Sequence, residues 1–200
     1  MAARAALAGR RGVVRLVVLG PALVYGASLA VAAALGVPPP AVDFSVMEVF
    51  SALVVGLLAG LSEEFGWSGF AFPALQARYG FVWAGVVVGL TVALWHLPFF
   101  FVPGLPHYSA NFGLFMLAGI PLRMLFGWIY NGSGRSVLLM ILFHASWNTW
   151  SELLSPPFAV AQPAWLTFTA ILWLAAIAVL LANRAAARRP RPSVAMAGGT

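Results

Sequence analysis

Polar residues are so sparse along this chain that its hydrophobic positions fall into long apolar stretches. Most of these stretches are near the length, about 20 residues, that an α-helix needs to cross the hydrocarbon core of a bilayer. The pattern therefore predicts an all-α fold, a polytopic transmembrane helix bundle of about six spans. The predicted spans cover residues 13–37, 50–77, 81–102, 112–130, 136–150 and 165–182.

The first apolar stretch follows a basic segment, as the apolar core of a signal peptide does. It is too long for a signal peptide, however, and no small-residue cleavage site follows it. We therefore interpret it as a retained span, ended by the prolines at 38–40. The predicted organisation is a basic cytoplasmic tail over residues 1–12, a bundle over 13–182 and an Arg-rich, disordered cytoplasmic tail over 183–200.

The arginines follow the positive-inside pattern at every connection of this topology. An even number of spans places both termini on one side, and eight of the eleven basic residues, all arginines, lie near the two chain ends, at positions 4–15 and 184–191. Arg78 and Arg135 lie in the two connections expected on that side. The other three connections, residues 36–49, 102–111 and 151–163, contain no arginine. Both termini are therefore predicted to be cytoplasmic.

Composition supports a membrane protein and excludes several other classes. Hydrophobic residues make up 62% of the chain and charged residues 8%, against about a quarter charged in a soluble domain. The absence of cysteine excludes disulfides, thiolate metal sites and a cysteine nucleophile. The net charge of +6 lies mainly in the tails, where it anchors helices at an anionic membrane surface, so no nucleic-acid partner is predicted. Arginine without lysine, with abundant Ala, Gly and Val, indicates a bacterial plasma membrane.

Two adjacent glutamates, Glu63 and Glu64, interrupt the second apolar stretch. A carboxylate inside a bilayer costs a few kcal/mol or more, so such residues normally face a polar interior and mark function. Neighbouring side chains point about 100° apart on a helix. One glutamate is therefore predicted to perform chemistry while the other is held by a partner. The alternative is that the helix ends at Leu61 and leaves both carboxylates in a loop.

Three further polar residues lie in apolar helices. His96 lies in the third span, while His144 and Asn148 are four residues apart and share one face of the fifth. A carboxylate and imidazoles in one low-dielectric pocket can activate water and stabilise an oxyanion. The same groups suit a divalent metal such as zinc, with His96, His144 and Glu63 as ligands, although no HExxH motif is present. The alternative is hydrogen bonding between packed helices. His107, in an outer loop, is assigned no role.

Three short motifs resemble those of the CPBP intramembrane proteases, also called the CAAX-protease and bacteriocin-processing (Abi) family. In order, they are EEFGWSGF at 63–70, LWHLP at 94–98 and FHASWN at 143–148. The similarity covers about residues 50–148, including LQARYG at 75–80 and WIYN at 128–131. The first and last spans carry no signature.

The resemblance implies hydrolysis of a peptide bond in a membrane-associated protein or peptide. Glu63 would be the base that activates water together with His96, and Glu64 a supporting carboxylate. His144 and Asn148 would bind that water or a metal, or stabilise the oxyanion. Family members are commonly described as metalloproteases, although their use of a metal is debated.

The first motif departs from the family pattern at Ser68. The family motif is Glu-Glu-x-x-x-Arg, and this chain has Ser68 at the arginine position. That arginine would neutralise Glu64 along one helix face, so Glu64 needs another partner. Arg123, the only arginine in the middle of a predicted span, is our candidate for this partner. The alternative is that the Arg123 side chain extends to a membrane interface.

Other functions fit parts of this pattern. The change to Ser68 creates GWSG at 66–69, which matches the GxSG of rhomboid serine proteases, but the glutamate pair has no place in that mechanism. A catalytically weak or inactive binder or scaffold of the same fold is a second class. A small transporter with proton-relaying carboxylates is a third.

Overall fold

The computed structural model describes residues 9–38, 45–105, 107–108, 110–154 and 162–187. Within these ranges the chain forms helices and turns and no strand. A π-helical turn, Trp67–Ala71, joins the second and third helices, and a 3-10 turn, Leu97–Phe100, follows the third. The α-helices are α1 (Gly9–Ala34), α2 (Val46–Gly66), α3 (Phe72–His96), α4 (Phe112–Gly132), α5 (Val137–Leu154) and α6 (Gln162–Ala187).

The prediction of an all-α protein with several membrane-spanning helices is confirmed. Within the described ranges, four helical stretches are long and apolar enough to cross a membrane. One of them is 55 residues long and is interrupted at Gly80, whose φ of 82° breaks the helix inside α3. The four stretches are Gly12–Ala34, Val46–Phe100, Phe112–Gly132 and Pro163–Arg184.

The helix ends are set by local sequence and differ from the predicted ones at both ends of the chain. Helix α1 ends at Ala34, before the prolines expected to end it, because Gly36 takes a positive φ of 85°. Helix α6 continues to Ala187, so residues 183–187, predicted to begin a disordered tail, are helical. Their alanine-rich sequence has high helix propensity. Residues 9–12 of the predicted N-terminal tail are helical too. Residues 1–8 and 188–200 lie outside the described residues.

Helix α2 packs closely on α5 because two glycines lie at the contact, as their spacing predicts. A Cβ atom added to Gly56 would lie 2.6 Å from the Ala145 carbonyl oxygen, and one added to Gly60 would lie 2.6 Å from that of Ile141. Gly85 and Gly89 let α3 approach α4 in the same way. Small residues at such spacing bring helix backbones together in lipid. The glutamates of α2 are thereby held beside α5.

Replacing Gly60 with alanine is expected to push α2 and α5 apart, because the new methyl group would meet backbone that cannot rotate away. We expect a loss of about 1–3 kcal/mol of stability, measured by thermal unfolding in detergent. Gly66→Ala is the matched control, since it lies in the same helix with nothing within 4 Å of its added Cβ. Equal stability of the two variants would show that the contact is looser than the structure indicates.

A pair of polar side chains links α3, just after the π-helical turn, to α4. The Gln76 amide donates to Asn131 Oδ1 at 3.1 Å, and the Asn131 amide donates back to Gln76 Oε1 at 2.8 Å. Reciprocal hydrogen bonds satisfy both partly buried amides and fix the helices in register. Helices α1 and α6 contact each other, and they lie against α5 and α4 respectively. Residues from all six helices line one interior cavity.

Candidate active site

The two glutamates lie in a continuous helix and face different surroundings. Helix α2 continues through Glu63 and Glu64 to Gly66, so the alternative that the helix ends at Leu61 is excluded. The side chain of Glu64 is fully buried, whereas that of Glu63 is 11% exposed. As expected from their angular separation, the two carboxylates do not form a symmetric pair.

Glu64 is held by three partners from three segments. Its Oε1 accepts a hydrogen bond from Arg123 Nη1 at 2.7 Å and another from His144 Nδ1 at 2.8 Å. Its Oε2 accepts a hydrogen bond from the Ser68 hydroxyl. A buried carboxylate is tolerated only when paired and hydrogen-bonded, and Glu64 meets both conditions. Its lone pairs are engaged by protein groups, which favours a supporting role.

Arg123 is the partner of Glu64 that replaces the arginine missing from the first motif. Its guanidinium pairs with Glu64 and lies 3.8 Å, Nη2 to Oε2, from Glu63. It also stacks over the ring of Phe126, with its central carbon 4.7 Å from the ring centroid. Arg123 is 6% exposed, so the alternative of an arginine that reaches the membrane interface is excluded. The expected ion pair between Arg123 and Glu64 is confirmed.

Glu63 keeps a freer carboxylate. Its Oε2 accepts a hydrogen bond from the Trp67 indole nitrogen at 3.2 Å, one turn along the helix. The π-helical turn that begins at Trp67 follows directly, and such turns are frequent at functional sites. Glu63 lines an internal cavity, and Glu64 is not among the residues that line it. Glu63 is therefore the carboxylate available to a bound molecule.

Both histidines have one ring nitrogen committed to the protein. His96 Nδ1 lies 2.9 Å from the Val92 carbonyl oxygen, and His144 Nδ1 lies 2.8 Å from Glu64 Oε1. Each partner is an acceptor, so each Nδ1 must carry the hydrogen. In both residues Nε2 is then the nitrogen left for chemistry. Glu64 thus orients His144 as a carboxylate orients the histidine of a hydrolytic triad.

One cavity brings four of the five predicted residues together. Glu63, His96, His144 and Asn148 all line it, although they come from three helices. It contains about 770 Å³ of free space, its open mouth included. Arg123 and Phe126 also line it. These residues, which are far apart in sequence, therefore share one site.

Sequence reasoning missed several residues of the cavity. His107, assigned no role, lines it with its ring centroid 5.6 Å from that of His96. Tyr25 and Ser151 line it as well. The spacing of Ser151, seven residues after His144, could have indicated it, since i, i+4 and i+7 share one helix face. No sequence signal distinguishes Tyr25 or His107.

Two other expectations about the site can be compared with the geometry. Ser68 is 4% exposed, bonds to Glu64 and is not among the cavity-lining residues, so its hydroxyl is not presented as a nucleophile. Within the part of the chain that the structure describes, no three His, Asp or Glu side chains form a group that could hold a metal ion. The divalent metal stays a prediction.

Comparisons with known proteins agree with the motifs. Residues 45–150 match the family described as type II CAAX prenyl endopeptidase Rce1-like. The chain is 35% identical over 134 residues to the CAAX prenyl protease 2 of Methanococcus maripaludis. That match covers 64% of this chain and 48% of the relative, so the chain spans about half the relative's length.

Proposed function

Because this chain belongs to the type II CAAX prenyl endopeptidase Rce1-like family, we propose that it is an intramembrane endopeptidase. Its substrate is a membrane-associated protein or peptide, and its nucleophile is a water molecule activated by Glu63 and His96. The observation that carries this proposal is the shared cavity lined by Glu63, His96, His144 and Asn148. The resemblance in the first motif makes Glu63 the base and Glu64 the supporting carboxylate. The burial of the two side chains favours the same assignment.

The chemistry follows from the free atoms of the site. Water donates one hydrogen bond to the Glu63 carboxylate and one to the His96 Nε2 lone pair. Glu63 takes a proton as the water oxygen bonds to the substrate carbonyl carbon, and a tetrahedral oxyanion forms. Collapse of this intermediate breaks the C–N bond, and the proton passes from Glu63 to the leaving amine. Glu63 returns to its starting form.

The oxyanion is stabilised from α5. The amide of Asn148 is a preorganised donor, and one such donor is typically worth 10²–10³ in kcat. His144 donates to the oxyanion through Nε2 when its ring is protonated; when the ring is neutral, Nε2 is an alternative acceptor for the hydrogen that the water otherwise donates to His96. Arg123 and Glu64 do not react; they hold His144 and Glu63 in place.

The membrane topology is also a proposal. A continuous 55-residue helix would be about 80 Å long at 1.5 Å per residue, far more than the roughly 30 Å of a bilayer core. The break at Gly80 divides it into two crossings, and α5 supplies another. Six spans then place both termini in the cytoplasm, in agreement with the arginine pattern. A bacterial plasma membrane is the location that we propose.

The test is cleavage of a membrane-peptide library by the protein purified in nanodiscs. Wild type is expected to release products, and Glu63→Gln is expected to lose about 10²–10⁴ of that activity because glutamine cannot take the proton. Glu48→Gln is the control, since Glu48 is exposed and caps the start of α2. Equal activity in wild type and Glu63→Gln would exclude the mechanism.

The Ser68 departure favours a second candidate, a catalytically weak or inactive binder or scaffold. Such a protein would bind the peptides without cutting them, and its cellular phenotype would survive Glu63→Gln and His96→Ala. A small transporter, the third class, would instead show pH-dependent flux.

A divalent metal such as zinc, held by His96, His144 and Glu63, is the alternative to the metal-free activation of water described above, although these side chains do not form a metal-holding group among the described residues. Metal analysis of the purified protein and the response of cleavage to a chelator test it. Prenylated and unprenylated peptides in the library would show whether lipidation of the substrate matters.

A further inference from the structure

Part of the cavity is used by none of the hydrolytic chemistry. Four aromatic side chains form it, and we call them the aromatic wall: Tyr25, Trp147, Trp165 and Phe168. All four are at most 8% exposed, so they face the interior of the bundle. They come from α1, α5 and α6, and α1 and α6 lie outside the residues that match the family.

The wall is preformed by contacts among its own rings. The centroids of Tyr25 and Phe168 lie 5.0 Å apart, and those of Tyr25 and Trp147 lie 5.4 Å apart. Trp165 and Phe168 are 5.0 Å apart. These distances are typical of well-packed aromatic pairs, so the wall keeps its shape without a ligand.

The wall continues directly from the hydrolytic residues along α5. His144, Asn148 and Ser151 line the cavity from one face of this helix, and seven residues correspond to about 10 Å. An extended peptide rises about 3.3 Å per residue. A substrate whose cleaved bond lies at His144 therefore places a side chain at most three residues away against the wall.

The lining of this part of the cavity selects an apolar occupant. The wall carries no charged group, and its polar atoms are few: the Tyr25 hydroxyl interacts with Ser151 and Trp147. A charged side chain would lose its hydration there without gaining a partner. The charged residues of the cavity, Glu63 and Arg123, pair with each other and lie on other helices. An apolar side chain removes aromatic surface and itself from water or lipid headgroups.

We propose that the aromatic wall is a specificity subsite that holds one bulky apolar side chain of the substrate, within three residues of the cleaved bond. This inference rests on the proposed function for its substrate, a peptide. It assigns substrate selection largely to α1 and α6, whereas the motif residues that perform the chemistry lie on α2, α3 and α5.

Photocrosslinking tests the subsite without requiring cleavage. Glu63→Gln in nanodiscs is mixed with leucine- and alanine-rich membrane peptides in which one benzoylphenylalanine is moved along the sequence. After irradiation, mass spectrometry is expected to find Tyr25, Trp147 or Phe168 labelled from one or two adjacent positions. Labelling only at Phe115 and His107, or only at lipid-facing residues such as Leu174, overturns the proposal, and so does the absence of labelling.

A lipidated peptide separates the two apolar occupants that a membrane substrate could offer. Its benzophenone is carried either by an S-prenyl-like chain on cysteine or by a side chain of the unlipidated sequence. Labelling of the wall by the lipid probe alone overturns the side-chain assignment. Labelling by the side-chain probe from a peptide that wild type does not cut supports the subsite and contradicts the proposed hydrolysis.

Enlarging the pocket provides the second test. Phe168→Ala is expected to favour a substrate with tryptophan at the labelled position over a substrate with leucine there. The ratio of their kcat/KM values, tryptophan over leucine, is expected to rise about tenfold. Phe50→Ala, a 62% exposed phenylalanine on α2, is expected to leave that ratio unchanged. A general loss of stability lowers both rates alike, so an unchanged ratio in Phe168→Ala, with both substrates still cut, overturns the proposal.

Discussion

Replacing Arg123 with methionine is expected to cost about 3–5 kcal/mol of stability and to abolish most cleavage. Methionine keeps much of the volume but leaves the fully buried Glu64 carboxylate without its cation, and an uncompensated buried charge carries a penalty of this size. The loss also removes the guanidinium that fixes Glu64 Oε1, the oxygen to which His144 Nδ1 is bonded, so His144 is held less firmly. Thermal unfolding in detergent measures the first effect, and peptide cleavage measures the second.

The control for this variant is Arg78→Met, because Arg78 is exposed and lies over the ring of the neighbouring Tyr79. A double variant, Arg123→Met with Glu64→Gln, removes both charges and is expected to recover most of the stability without recovering full activity. If Glu64→Gln does not improve the Arg123→Met protein, the charge of Glu64 is not what makes the single variant unstable.

The second large effect that we expect comes from moving the positive charge beside Glu64 from α4 to the turn after α2, where the family motif has it. Ser68 already donates to Glu64 from one turn along the helix, and the family motif has arginine there. Ser68→Arg alone is expected to be unstable and inactive, since it forces a second guanidinium into a buried site that holds one. Ser68→Arg combined with Arg123→Met keeps a single cation beside Glu64. This double variant is expected to be more stable and more active than either single variant.

A double-mutant cycle on unfolding free energies measures this effect. The double variant is expected to be about 1–3 kcal/mol more stable than the sum of the two single effects implies. The matched control pairs Ser68→Arg with Arg78→Met, which removes an arginine of equal charge outside the site. If the double variant is only as unstable as the sum of its parts, Arg123 is not a relocated counter-ion, and Ser68 then favours a protein with weak or no activity.

The asymmetry of the two glutamates could be anticipated only in part. Adjacent positions on a helix must point in different directions, so the sequence required that Glu63 and Glu64 differ in surroundings. Their neighbours in sequence do not say which one is buried. The resemblance assigned the base to Glu63, and the structure supplies a physical reason: Glu64 faces Arg123 and His144, which are 59 and 80 residues away in sequence.

The sequence by itself determined that this is a membrane protein with an all-α fold. It also determined which polar residues lie in its apolar helices and are candidates for chemistry. Apolar runs of membrane-spanning length, arginines concentrated near the chain ends and five polar residues in apolar helices are local features, and local features can be read from one chain. Glycines at four-residue spacing likewise determined where helices approach closely.

Tertiary structure decided what depends on burial and on contacts between distant helices. It paired Arg123 with Glu64 and brought His107 to the cavity that contains His96. It also built the aromatic wall from Trp147 of α5 and three rings of α1 and α6, the helices without a motif. Burial is set by which faces of several helices meet, and many arrangements of the same apolar faces are compatible with one pattern. The residues of the site could therefore be chosen from the sequence, whereas their division of roles required the folded bundle.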